Sequence, residues 1–269
     1  MLVDGLVPHD LITKAIQQVN DLAREKRYGD VGSQGVFGDF AIGTELMARI
    51  GLDADTNVNT TRRLLTLFES VSVFNDGVRG RLIGQLLERY CTDYDPRSGR
   101  SNIDRVNVPR FLLNDLIRYW RTMAVDFGAK QWRSVRTDWH LRYVKLLTTR
   151  KVLFAGSLMT LLRTPDASST SQDERFAELL RYLRVEMDRT PLGRLMAAHP
   201  DLTDPGKEGL AAVLEAYERL VSLLLVTGTR KLLSENPDGN PSQRATEVQK
   251  EALELAESNS GRPGSGLLR

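Results

Sequence analysis

The sequence is short of the residues that most often carry cross-links or metal chemistry: it has one cysteine, Cys91, and three histidines, His9, His140 and His199. A lone cysteine cannot pair within its own chain. With no signal-peptide pattern at the N-terminus, that leads us to expect a reducing cytoplasm. The histidines and Cys91 show no metal-ligand spacing, which argues against a His/Cys metal centre. Long apolar runs are also missing. Runs such as Leu223 to Val226 and Val152 to Gly156 fall far short of the roughly 20 residues that span a bilayer, so no membrane segment is expected. No excess of either charge stands out, with 37 Lys plus Arg against 35 Asp plus Glu, and the total makes no case for wrapping a polyanion. There is no P-loop, nucleophile elbow, dinucleotide fingerprint or internal repeat.

What remains is a globular composition. The 269 residues, 41% hydrophobic and 27% charged with 7% aromatic, can bury a core as one large or two modest domains. Arginine is far commoner than lysine. Two readings of that are open: guanidinium forks for carboxylates and phosphates, or the composition of a GC-rich genome.

Helical periodicity runs almost throughout. Leu11, Ile12, Ala15, Ile16, Val19 and Leu22 predict a first helix closed by Gly29. A glycine-rich loop from Tyr28 to Gly38 then leads to a short helix capped at Thr44. Asn57, Asn59 and Thr60 open a helix to about Ser70, and Val71 to Phe74 is the one expected strand. Further helices are expected over 76–91, 108–127, 138–162, 173–189, 206–234 and 241–257. The linker Asp93 to Val106, Pro165 with its serine run, Pro191, Pro200 to Gly206 and Asn236 to Pro241 separate them. The fold class is therefore mostly α, a multi-helix bundle with at most a short strand pair near the N-terminus. The expected division is an N-terminal helical segment over 1–92, a helical bundle over 93–257 and a disordered tail over 258–269.

Three places could carry chemistry. On the 108–127 helix, 100° steps put Leu112, Leu113, Leu116, Ile117, Tyr119, Trp120, Met123, Ala124 and Phe127 on one arc. Asn114, Asp115, Arg118, Arg121, Thr122 and Asp126 fall on the other, either a solvated face or the wall of a polar cleft. On the next helix Arg142, Lys145, Thr149, Arg150 and Lys151 precede the apolar Val152 to Gly156. These could hold a phosphate, pair with acidic residues or snorkel. Arg62 and Arg63 stand in the first turns of a helix, against its dipole, which calls for a nearby anion; Asp53, Asp55 and Glu69 are candidates within the chain. Two cheaper patterns carry less. Gly32-Ser33 with Asp53 and Asp55 imitates a nucleotidyltransferase signature at the wrong separation, and Arg194 with His199 has the spacing of HEPN-type ribonucleases.

Four ordered blocks do resemble a family. Gly35 to Gly38, Asp55 to Arg63 with Leu67 to Ser70, Arg110 to Thr122 with Val125 to Phe127, and Lys145 to Gly156 are similar to the helical part downstream of the catalytic motif in bacterial nucleotidyltransferases of the polymerase-β-like superfamily. The resemblance covers roughly residues 20–160, and its most specific block is Asn114-Asp115 with Arg118 to Arg121. It implies a helical nucleotide- or substrate-binding portion. Arg62, Arg63, Arg118, Arg121, Lys145, Arg150 and Lys151 would be phosphate or acidic-neighbour contacts, with Asn114, Asp115 and Asp126 as hydrogen-bonding or charge-orienting partners. The ligand it implies is a nucleoside triphosphate with magnesium, and a nucleic acid or protein acceptor. The family's glycine-serine turn and metal-holding carboxylates have no counterpart here, so the chain alone is expected to be inactive in transfer, and no residue is assigned as catalytic. Two other readings stay open: a non-catalytic helical interaction module, and a HEPN-type ribonuclease using Arg194 and His199. The sequence does not decide the oligomeric state.

Overall fold

The computed structural model describes residues 2–3, 7–26, 40–72, 75–95, 100–103, 108–133, 139–165, 171–225 and 250. In order these form β1 (Leu2–Val3), α1 (His9–Glu25), β2 (Ala41–Ile42), α2 (Gly43–Ala48), α3 (Asn57–Phe68), α4 (Asp76–Cys91), β3 (Thr92–Asp95), β4 (Arg100–Ile103) and α5 (Arg110–Arg133). Then come α6 (Trp139–Lys145), a π-helical turn (Leu146–Arg150), α7 (Lys151–Leu162), α8 (Gln172–Met187), α9 (Pro191–Ala197), a 3-10 turn (His199–Asp201) and α10 (Asp204–Leu225). The chain is mostly α. It divides into two compact units, Met1–Asp115 with Pro165–Met187 and Leu116–Thr164 with Asp188–Arg269.

The first unit is built on α3, α4 and α8. Thr56 caps α3, its hydroxyl accepting from the Asn59 amide at 3.2 Å, one residue before the expected opening. Asn75 caps α4 in the same way through the Val78 amide at 3.2 Å. Leu82, Ile83, Leu86, Leu87 and Tyr90 recur at three- and four-residue steps on α4, and all are buried. With Leu64, Leu67 and Phe68 of α3 and Leu183 and Met187 of α8 they form the core, each full burial of such a side chain being worth about 1.5–3 kcal/mol. Arg184 of α8 lies across Gly84 of α4, where a Cβ would stand 2.7 Å from its Nη2. Two strand pairs complete the unit. β1 and β2 are parallel, Leu2 opposite Ala41, and β3 and β4 are antiparallel, from Thr92 opposite Ile103 to Asp95 opposite Arg100.

The second unit holds α5 from Leu116 onward, α6, α7, α9 and α10. Trp120 stacks on Phe154 at 5.2 Å between centroids, and Phe127 meets Tyr143 at 5.9 Å, so α5 runs antiparallel to α6 and α7. Val144 and Leu147 pack against Leu220 of α10. Gly156 lets α7 meet α9 at close range: a Cβ there would lie 2.5 Å from the Pro191 carbonyl oxygen. Between α6 and α7 the helix widens for one π turn, in which the Lys151 amide reaches the Leu146 carbonyl five residues back. The Thr148 and Thr149 hydroxyls donate to the Val144 and Lys145 carbonyls at 2.6 and 2.8 Å, giving those oxygens a donor where the regular ladder is interrupted.

Several expectations are corrected. The expected linker after residue 92 contains the β3–β4 hairpin, a strand pair away from the N-terminus, whereas Val71 and Ser72 form no strand. Thr44 lies inside α2 and does not cap it. Pro191 begins α9 instead of only breaking a helix, because proline suits the first helical turn, where an amide has no partner to lose; Thr190 caps it through the Gly193 amide at 3.0 Å. The expected helix over 138–162 is interrupted by the π turn. Outside the described residues lie Gly29, Gly32 and Ser33, the Gly35 to Gly38 block, Phe74, the serine run after Pro165, the end of the 206–234 helix, most of the 241–257 helix and the 258–269 tail.

Candidate functional site

Among the described residues, the densest polar cluster sits inside the first unit. On α3 the residues at successive three- and four-residue steps, Thr60, Arg63, Leu64 and Leu67, are all buried, so the helix that inserts its leucines carries Arg63 with them. Arg63 has 0% exposure, and it is fully bonded. Its Nη1 and Nη2 fork onto the Oδ1 and Oδ2 of Asp55 at 2.9 and 2.5 Å. Nη2 also donates to Asp115 Oδ2 at 2.8 Å, Nη1 to the Leu46 carbonyl at 3.2 Å and Nε to the Tyr90 hydroxyl at 2.7 Å. The Tyr90 hydroxyl in turn donates to Asp115 Oδ2 at 2.7 Å. Every N–H of the guanidinium therefore meets a protein acceptor.

Electrostatics follow from that geometry. Burial works against the Arg63 charge, but the bonds to Asp55, Tyr90 and Asp115 outweigh it and push the group's pKa further up, so it remains a cation. Burial raises the Tyr90 phenol well above its usual range, and the Asp115 carboxyl adds to the shift, so the ring keeps the proton that it donates. The cluster joins α2, the turn before α3, α3 itself, α4 and the start of α5. Its side chains are almost wholly buried, Asp115 at 8% being the most exposed of the ionic groups, and its chemistry is that of an internal tie.

For Arg63, then, the acidic-neighbour alternative is the one realised: with its donors engaged and no exposed surface, it has nothing to offer a phosphate. Asp115 moves from the expected polar face to the buried stripe Leu112, Asp115, Leu116 and Tyr119, while Ile117, expected in the core, is exposed. Asp55 was nameable from sequence as a neighbour of the two arginines; Asp53 is exposed. Tyr90 was missed. Its place on the leucine stripe of α4 is the signal, since a buried phenol needs a partner for its hydroxyl. Thr60, at 3.4 Å from both Asp55 and Arg63, completes the set.

The other candidates are dispersed. Arg62 is half-buried and Asn114 exposed, both in the first unit. In the second unit Arg121 and Lys145 are exposed, and Arg118, Asp126, Arg150 and Lys151 are half-buried and engaged. At about 100° per residue, Arg118 lies across α5 from Trp120 and Phe127, the face that meets α6 and α7, and Arg121 lies to one side of it. Of the candidate set, Arg63 and Asp115 are brought into direct contact, at 2.8 Å. Arg194 is wholly buried on α9, whereas His199 is exposed in the following 3-10 turn, so the two do not share a surface. Among the described residues no three His, Cys, Asp or Glu side chains gather where they could share an ion.

No known protein family, curated protein or solved structure matches the chain. The resemblance to nucleotidyltransferases thus rests on the sequence blocks themselves. No helix among the described residues is long and apolar enough to cross a membrane.

Outside the candidate set, an apolar helix face is exposed. Helix α1 buries Ile12 at 5% exposure, yet Leu11, Val19 and Leu22 on the adjoining arc are 52%, 47% and 51% exposed, with Ala15 half-buried among them. Its apolar arc is wider than the part the fold covers. The remainder forms a stripe about 16 Å long from Leu11 to Leu22.

Proposed function

We propose that this chain is a non-catalytic helical interaction module that docks a partner through α1. The observation that carries the reading is the uncovered half of the α1 apolar arc, Leu11, Ala15, Val19 and Leu22, on a chain whose most concentrated polar cluster is sealed inside it. The test is affinity capture from a lysate of the source cells with the full chain and with a Leu11→Glu/Leu22→Glu variant that keeps the wild-type helical spectrum. A protein retained by the first and lost from the second supports the reading. A wild-type chain that is monomeric and retains nothing would sink it.

A second reading, a nucleotidyltransferase-like portion that binds a nucleotide, is favoured by the exposed cations Arg121 and Lys145 in the unit that also holds Arg118, Arg150 and Lys151. Here the ligand would be a nucleoside triphosphate with magnesium, and the acceptor a nucleic acid or protein. Calorimetric titration with ATP, GTP, CTP and UTP, with and without magnesium, separates the two. Heat that disappears in Arg121→Ala/Lys145→Ala supports the nucleotide, and no heat with any of the four removes it.

A further inference from the structure

We infer that the partner of the α1 stripe is a second copy of this chain, its α1 laid antiparallel on the first; this rests on the interaction reading above. At about 100° per residue, Leu11, Leu22 and Ala15 fall within roughly 40° of one another, and Val19 lies on the side nearer the buried Ile12. The flank away from Ile12 carries Lys14 and Asp21, both exposed. Those two charges bear on the orientation. In a parallel pair each flank would face the opposite flank of the partner, which would set Lys14 beside Val19 with no opposite charge.

The antiparallel pair gives both charges a partner. Its twofold axis falls between residues 16 and 17, so Leu11 of each copy lies level with Leu22 of the other, and Ala15 packs near Val19. In antiparallel helices each flank faces its own equivalent, which brings Lys14 of one copy to Asp21 of the other, twice over by symmetry. Both the apolar layers and the charges are therefore self-complementary in one register. Within the chain Asp21 holds an exposed i, i+3 pair with Arg24 at 3.3 Å, a contact that an exposed carboxylate shares readily with a second cation.

The experiment is sedimentation equilibrium of the full chain over micromolar concentrations. We expect twice the mass of one chain for the wild type, and the mass of one chain for the folded Leu11→Glu/Leu22→Glu variant, whose dimer dissociation constant should rise more than about tenfold. Lys14→Asp or Asp21→Lys alone should raise the constant about threefold to tenfold by creating like-charge neighbours, an effect that shrinks in high salt. The double exchange Lys14→Asp/Asp21→Lys should restore it. Rescue is the decisive reading, because loss of helix stability would not reverse on the second substitution. A wild type monomeric throughout, or a dimer indifferent to Leu11 and Leu22, overturns the inference. If that monomer still retains another protein through Leu11 and Leu22, the second-copy partner fails alone; if it retains nothing, the interaction reading fails with it.

Discussion

Replacing Arg63 with methionine, a side chain of similar length without charge, would leave the carboxyls of Asp55 and Asp115, the Tyr90 hydroxyl and the Leu46 carbonyl facing an apolar group. Removing one partner of a buried ion pair typically costs about 3–5 kcal/mol, because the charge left behind cannot recover its water. Against a usual total of about 5–15 kcal/mol, that is a large share of the stability of the first unit. Cys91 supplies the assay. It is the chain's single thiol, 1% exposed and next to Tyr90 on α4, so a thiol reagent labels it only when this region opens. Where closing outruns labelling, the rate follows the open population, and 3–5 kcal/mol corresponds to an acceleration of roughly a hundredfold to several-thousandfold. Replacing the whole set with apolar residues, as in Asp55→Leu/Arg63→Met/Tyr90→Phe/Asp115→Leu, should recover much of the loss, since no stranded charge remains. A labelling rate for Arg63→Met within about threefold of wild type would refute the claim that this cluster holds the unit together.

Two further perturbations test other parts of the fold. Gly156→Ala sets a methyl 2.5 Å from the Pro191 carbonyl oxygen and should destabilise the second unit by about 1–3 kcal/mol, read as a lower urea midpoint in the fluorescence of Trp120, which stacks on Phe154 of the same helix; an unchanged midpoint would mean that α7 and α9 separate at little cost. The raised pKa of Tyr90 has a definite sign: above about pH 10 the unfolded chain loses a phenolic proton that the native chain keeps, so stability declines with rising pH. Tyr90→Phe should be less stable near neutrality, having lost the bonds to Arg63 and Asp115, yet decline less steeply above pH 10, as followed by urea melts at stepped pH. An equally steep decline in the variant would assign the alkaline loss to other groups.

The α-rich class and most helix positions were legible because they depend on local patterns. Apolar residues three and four apart bury one face wherever the helix packs, and α4 came out over the residues that its periodicity marks. Caps and starts were less secure. Thr56 and Thr190 were recognisable only with the backbone in place, and Pro191 has two opposite local meanings, the end of one helix and the start of another. The β3–β4 pair was hidden because Thr92 to Asp95 and Arg100 to Ile103 offer only Tyr94 and Ile103 as apolar markers of an alternating face.

The candidate site divides along the same line. From the sequence alone it was determined that Arg62 and Arg63 oppose a helix dipole and call for an anion, and that Asp55 stands within reach. The tertiary structure decided which arginine goes inward, and it brought Asp115 from 52 residues away to the same guanidinium. It also decided that Asp115 belongs to the leucine stripe of α5. A helical wheel sorts side chains by chemistry, whereas burial is set by the neighbour a face meets, and a carboxyl is carried inside when a bonded cation waits there. For α1 the periodicity showed an apolar arc; only the fold showed that half of it is left uncovered.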